Sequence, residues 1–380
     1  MKGLCLAILI FFVIVPRNGF SKSHYTYLNF QTTDSEKRAV FELWKAYLNS
    51  DKVDTFWAEA DRKRFPRIDL LNNALGLDGS LYNIYFKCNV MGIYDMGSDY
   101  LIKSALYWNN EKDSGSSVTL LAIINVLAIK ENGEYKLSNY INYSTKNWMK
   151  KNIGRIKYRY PVEFPFDEYK ARDANIFLDS LVRWFSISSM DTLNYFIPVN
   201  CTEGHKMVGY EYFEGDAKKL NLCGYFDEVN NIIYSNSVAG EFYEHELVHV
   251  INKEFPNANL YFLTGLAAYI NDAGSFGKSE KFHLRRYLQL YPQQNLNKFY
   301  EISYLDDLTA PNYLFGAVIC HSLLRRGGIK LLTQAMSKKL TNQELIKFLL
   351  ETCKYKNVNQ FFSSEFSHFL NEEILLKVSS

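Results

Sequence analysis

The sequence predicts an α+β fold laid out in two successive parts. Between residues 82 and 141, four apolar runs rich in β-branched and aromatic residues are separated by turn-forming clusters, and helical segments precede them. From residue 167 onward amphipathic helical patterns dominate, interrupted by one strand and one hairpin. One of those later helices carries His245-Glu246-Leu247-Val248-His249, which sets two imidazoles four residues apart with a carboxylate directly after the first.

The N-terminus reads Met1-Lys2, an apolar run from Leu4 to Val15, and then Pro16-Arg17-Asn18. Such a run is short for a bilayer span and has the n-region and h-region of a secretory signal, with Gly19-x-Ser21 as the small-residue cleavage site. Residues 1–21 are therefore expected to be a signal peptide; an uncleaved anchor is the competing reading. The mature chain is expected to start near Lys22 and to be secreted, periplasmic or in the cell envelope. No later stretch is apolar enough for a membrane span, so no integral membrane segment is expected after signal removal.

The 380 residues suffice for two domains. Their formal charge of +2 is spread without basic blocks, which excludes nucleic acid and a polybasic membrane patch and leaves peptides, proteins or small molecules as partners. The 28 Tyr and 27 Phe are scattered among apolar neighbours, as packing surfaces require. Six cysteines become five once Cys5 is removed with the leader, an odd number. Cys201 and Cys223 flank a pair of strand-like runs and are the preferred bridge, with two buried free thiols as the alternative. No CxxC or Cys/His cluster marks a second metal site.

Element by element, Thr33-x-x-Glu36 reads as a capping box, and Val40, Leu43, Trp44, Tyr47 and Leu48 make the apolar stripe of a helix over 33–50. Further helices are expected at 53–60 and 70–77. Strands follow at 82–90, 99–108, 117–129 and 135–141, with turns at 110–116 and Glu131-Asn132-Gly133. This order resembles the SnoaL-like, nuclear-transport-factor-like cone fold over about residues 30–145, including the Gly133-Glu134-Tyr135-Lys136-Leu137 strand entry. The resemblance implies either a ligand-binding mouth or an inert module; with no acid/base pair in view, residues 22–150 are read as an accessory domain.

Residues 145–165 form the crossover, stiffened by Pro161 and Pro165. A helix over 167–185 buries Ala171, Ala174, Phe177, Leu178 and Leu181. Next come a strand at 192–198, a loop with His205, and a hairpin over 220–235 turned at Asp227-Glu228-Val229-Asn230. The segment 238–253 contains no proline, and Val238, Phe242, His245, His249 and Asn252 recur at helical steps, with Ser235 or Ser237 as N-cap. Helices are expected at 260–271, 282–290 and 313–326, the last ended by Gly327-Gly328, and Thr341-x-x-Glu344 caps one more, running to residue 350.

On a helix, His245 and His249 lie on one face where they can share a Zn²⁺, while Glu246 reaches the activated water as general base. From about Ile156 onward the chain resembles the gluzincin, or peptidase-MA-like, metallopeptidases. The likeness rests on Asp167-Glu168-Tyr169-Lys170-Ala171-Arg172, on Asn231-Ile232-Ile233-Tyr234-Ser235 and on the His245 pentapeptide. Leu263-Thr264-Gly265-Leu266-Ala267-Ala268-Tyr269 and Tyr313-Leu314-Phe315-Gly316-Ala317 extend it. The resemblance implies that residues 151–380 form a gluzincin-like domain with a small mixed sheet, the HExxH helix and a C-terminal helical subdomain. It implies zinc as cofactor, peptide or protein as substrate, and the strand over 231–234 as the sheet edge beside the cleft.

The same resemblance exposes a departure. Where the family carries a Glu as third zinc ligand, this sequence has Thr264, which brings neither charge nor basicity. Asp272 is a candidate third ligand if the preceding helix ends near Asn271; Glu244, Glu254 and His205 are further candidates, each with a solvated surface role as its alternative. Tyr313 is a candidate oxyanion donor or else a buried structural tyrosine. Two functions stay open: an exported zinc metallopeptidase with an atypical third ligand, or a catalytically inactive peptidase-like binding or scaffold protein.

Overall fold

The computed structural model describes residues 30–50, 53–65, 87–110, 117–213, 224–271, 278–302 and 309–376. Among the described residues it is mixed α and β, with two five-stranded sheets. The segment expected to be a signal peptide, the helix expected over 70–77, residues 111–116 of the expected turn, Cys223 and Asp272 lie outside the described residues. The described residues of Met1–Asn147 and Asn200–Asn221 form one compact unit, and those of Trp148–Val199 and Leu222–Ser380 form a second. No helix among the described residues is long and apolar enough to cross a membrane.

In the first unit, helix α1 (Ser35–Leu48) buries Val40, Phe41, Trp44, Tyr47 and Leu48. Its cap is Asp34 rather than Thr33, because the Asp34 carboxylate accepts from the backbone N–H groups of Glu36 and Lys37. The helix expected over 53–60 is split into a 3₁₀ turn (Val53–Phe56) and α2 (Glu59–Arg64). Between them Trp57 bridges to Leu137 and the Ala58 N–H donates to the Leu137 carbonyl at 2.8 Å, which forces extended backbone there.

Strands β1 (Lys87–Asp95), β2 (Tyr100–Asn110), β3 (Ser117–Glu131) and β4 (Glu134–Ser138) form an antiparallel meander. Ile102, Ser104 and Leu106 stand opposite Val126, Ile124 and Ala122 on its buried face. The β3–β4 turn uses Asn132 and Gly133, both with positive φ (52° and 86°), the signature of a tight hairpin. β4 stops short of the expected Ile141 and gives way to α3 (Tyr140–Ser144). The buried Asp61 carboxylate there takes the Asn139 N–H and the Asn142 side-chain amide.

The stretch read as a loop with His205 is instead helix α5 (Cys201–Met207), followed by β8 (Tyr210–Phe213), which pairs with β3 at Ala122–Ile124. Cys201 is disulfide-bonded, while Cys88, Cys320 and Cys353 are free and buried.

The second unit holds the sheet β5-β6-β7-β10-β9, built from β5 (Met149–Ile153), β6 (Ile156–Tyr160), β7 (Leu193–Phe196), β9 (Tyr225–Asp227) and β10 (Ile232–Tyr234). β6, β7 and β10 run parallel, and β5 and β9 are antiparallel additions at the two ends. Helix α4 (Glu168–Trp184), capped by the Asp167 carboxylate, makes the crossover from β6 to β7. Ala171, Ala174, Phe177, Leu178 and Leu181 are its buried stripe, as the 3.6-residue period requires.

Downstream lie α6 (Glu244–His249), α7 (Leu260–Ile270), α8 (Glu280–Leu290), α9 (Pro311–Met336), α10 (Asn342–Cys353) and α11 (Val358–Asn371). Gly327 and Gly328 interrupt α9, Gly328 at φ 62°, but helical turns resume beyond them. Thr341 and Glu344 form a reciprocal capping box on α10. Helices α7 and α9 cross at Gly265 and Gly316: a Cβ on Gly265 would collide with the Gly316 backbone, and one on Gly316 with the Tyr261 carbonyl oxygen. Only glycine at both positions lets the two backbones approach this closely.

Candidate metal centre

The helix that carries His245 and His249 is shorter than its sequence pattern. It starts at Glu244, not Val238, because Asn236 accepts from the Val238 and Ala239 N–H groups and Gly240 takes φ 62°, which makes 236–240 a turn. Ser235 and Ser237 are not caps; their hydroxyls donate to the carbonyls of Gly240 and Val199. The sheet fixes the helix entry instead. Tyr195 of β7 donates its hydroxyl to the Gly240 carbonyl (2.9 Å) and accepts from the Tyr243 N–H (3.0 Å), while Tyr158 of β6 donates to the Glu241 carbonyl (3.0 Å).

One ligand atom from each of His245, Glu246 and His249 lies within 4.8 Å of the others, and no other such group of His, Cys, Asp and Glu occurs among the described residues. The two imidazole rings are 4.8 Å apart between centroids and nearly perpendicular (83°). Burial pushes His245 down to about 4 and His249 to about 3, the latter helped by its neighbour His245. Both rings are therefore neutral at ordinary pH and keep a lone pair for a metal.

Glu246 is buried, and burial pushes its carboxyl up to about 8 against the pull of a hydrogen bond from the Phe226 backbone N–H. Phe226 belongs to β9, the outermost strand of this sheet among the described residues. The edge expected at 231–234 is corrected accordingly: β10 is interior, flanked by β7 and β9, and β9 is the strand that meets Glu246. Tyr313 stands with its ring 5.6 Å from that of His245. It occupies that place because Gly316, one turn further along α9, is locked against Gly265 of α7.

The remaining third-ligand candidates are not part of this group. Thr264, on α7, donates its hydroxyl to the Leu260 carbonyl of its own helix (2.9 Å). Glu254 is exposed, and Glu244, the first residue of α6, is not part of the group. His205 sits on α5 in the first unit.

Residues that sequence reasoning did not mark as functional also border the site. The Phe226 N–H is invisible in a one-dimensional pattern, since any residue supplies it. Asn252 stands with its Nδ2 2.9 Å from His249 Nδ1; the signal for it was its place on the same periodic stripe as the two histidines. Two neutral imidazoles with a buried carboxyl beside them are a donor set suited to a zinc-type divalent cation. No family model matches the chain, and no curated protein matches it.

Proposed function

We propose that the chain is an exported, zinc-dependent metallopeptidase of gluzincin type, with an atypical third ligand and peptides or proteins as substrate. The observation that carries this reading is the convergence of His245, Glu246 and His249 into one group with both imidazoles held neutral. His245 and His249 would hold the metal, and zinc, when bound, supplies the positive charge that acidifies water and polarises a peptide carbonyl. Glu246 would act as the carboxylate, the form the Phe226 N–H favours, taking the proton of the attacking water and returning it to the leaving amine; burial makes that carboxylate a stronger base than an exposed one. The Tyr313 hydroxyl is the donor proposed for the developing oxyanion. The mixed sheet with its helices is read as the gluzincin-like domain and the meander as an accessory cone, the whole acting outside the cytoplasm after loss of residues 1–21.

A second reading draws on Thr264, which brings no carboxylate and donates its hydroxyl to its own helix: the domain has become a non-catalytic binding or scaffold module. Hydrolysis of a fluorogenic peptide library separates the two. The zinc-loaded protein should cleave, chelation should stop it, and Glu246→Gln should lower the rate about 10²–10⁴-fold while retaining metal. Zinc-loaded protein that cleaves nothing while still binding peptide supports the scaffold reading.

A further inference from the structure

We infer that Asn252 is a positioning residue for His249, its side-chain oxygen holding the Nδ1–H of that imidazole so that Nε2 presents its lone pair to a divalent cation. The inference rests on the zinc-site reading and adds to it a residue outside the HExxH motif.

Three observations on this chain support it. The backbone changes character at His249: α6 ends there and a 3₁₀ turn, Val250–Glu254, takes over. With three residues per turn, positions i and i+3 eclipse, so Asn252 comes to lie directly over His249. Second, Asn252 Nδ2 stands 2.9 Å from His249 Nδ1, which leaves Nε2 as the ring nitrogen available to a metal. Third, Asn252 Oδ1 is buried with no hydrogen-bond partner.

With the amide nitrogen facing the ring, Nδ1 must accept, and the proton of the neutral imidazole then sits on Nε2, where it blocks a metal. Half a turn of the amide exchanges its oxygen and nitrogen at nearly the same heavy-atom positions. Oδ1 then accepts from Nδ1–H and Nε2 is free, while the amide nitrogen takes the buried place the oxygen held. A backbone or side-chain oxygen in this role fixes the tautomer and raises the basicity of a metal-bound imidazole.

The test is zinc affinity of the full chain, measured by competition with a chelator, together with long-range ¹H–¹⁵N spectra that report the His249 tautomer. Asn252→Ala should weaken zinc about 10–100-fold. Asn252→Asp, which offers only acceptors, should restore affinity and give an Nδ1–H tautomer at His249. Urea unfolding of each metal-free variant checks that folding is intact. Wild-type affinity in Asn252→Ala, or equal losses in Asn252→Ala and Asn252→Asp, overturns the inference while the zinc site stands. A wild-type chain with no zinc affinity, matching His245→Ala, overturns the zinc site and this inference with it.

Discussion

In the proposed zinc site, Thr264 stands where the gluzincin resemblance implies a third ligand. Its hydroxyl donates to the Leu260 carbonyl, a back-bond common for threonine inside helices. A carboxylate there would supply the charge and basicity that the hydroxyl lacks. Thr264→Glu should therefore raise zinc affinity about tenfold or more, the scale of one charge-assisted contact, as read by chelator competition; unchanged affinity would show that α7 does not present this position to the metal. The convergence of His245, Glu246 and His249 was legible because a four-residue spacing on a helix sets two side chains on one face. Phe226 was not, since its contribution is a backbone N–H brought in by a strand some twenty residues upstream.

At the scale of elements, the Gly265–Gly316 crossing links α7 and α9 and so sets where Tyr313 stands relative to His245. Gly265→Ala would put a Cβ into the Gly316 backbone, and neither side can yield as a flexible side chain would. Overpacking of this kind costs about 1–3 kcal/mol, so urea unfolding should show a lowered midpoint with an unchanged slope; an unshifted midpoint would mean the helices separate freely.

Helix boundaries were the least legible level. The stripe from Val238 to Asn252 read as one helix, but Asn236 and Gly240 build a turn at its start and the coil tightens to 3₁₀ at its end. Local side-chain capping outweighed periodicity there. Where caps and stripe agreed, as at Asp167 and Thr341, sequence and structure coincide. Helix α11 lies beyond the last helix expected from the sequence; Asn357 caps it and Phe361, Phe362, Phe366 and Phe369 form its buried face.

At the scale of the molecule, long-range pairings are what the sequence withheld. Residues 200–221 belong to the first unit through the β8–β3 pairing, and no local pattern announces a strand that pairs with a partner some ninety residues earlier. Buried charge is similar. Glu365 is fully buried yet its carboxyl lies below its usual range: burial pushes it up, but bonds from Tyr355, Arg326 and Arg325 outweigh that.

His321, also buried, lacks such help. Glu372 Oε2 lies 3.3 Å from its Nε2 but out of hydrogen-bond alignment, and burial holds the imidazole down to about 4 against the pull of Glu372 and Glu365. Its folded pKa lies below the unfolded value, so the unfolded chain binds more protons between the two. Stability is then lost as pH falls from about 6.5 to 4. His321→Gln should remove about 2–3 kcal/mol of that acid-induced loss, measured as the difference in urea-unfolding free energy at pH 7 and pH 4; equal losses in both proteins would place the imidazole in a solvated, freely titrating setting.

Whether His245 and His249 hold zinc, as proposed, is decided by metal stoichiometry. The full chain, equilibrated with excess zinc at neutral pH, freed of unbound metal and analysed by elemental spectroscopy, should carry about one zinc per chain, and the His245→Ala variant should carry none. A wild-type chain without bound zinc, or a variant that retains it, would mean that the two imidazoles do not hold the metal.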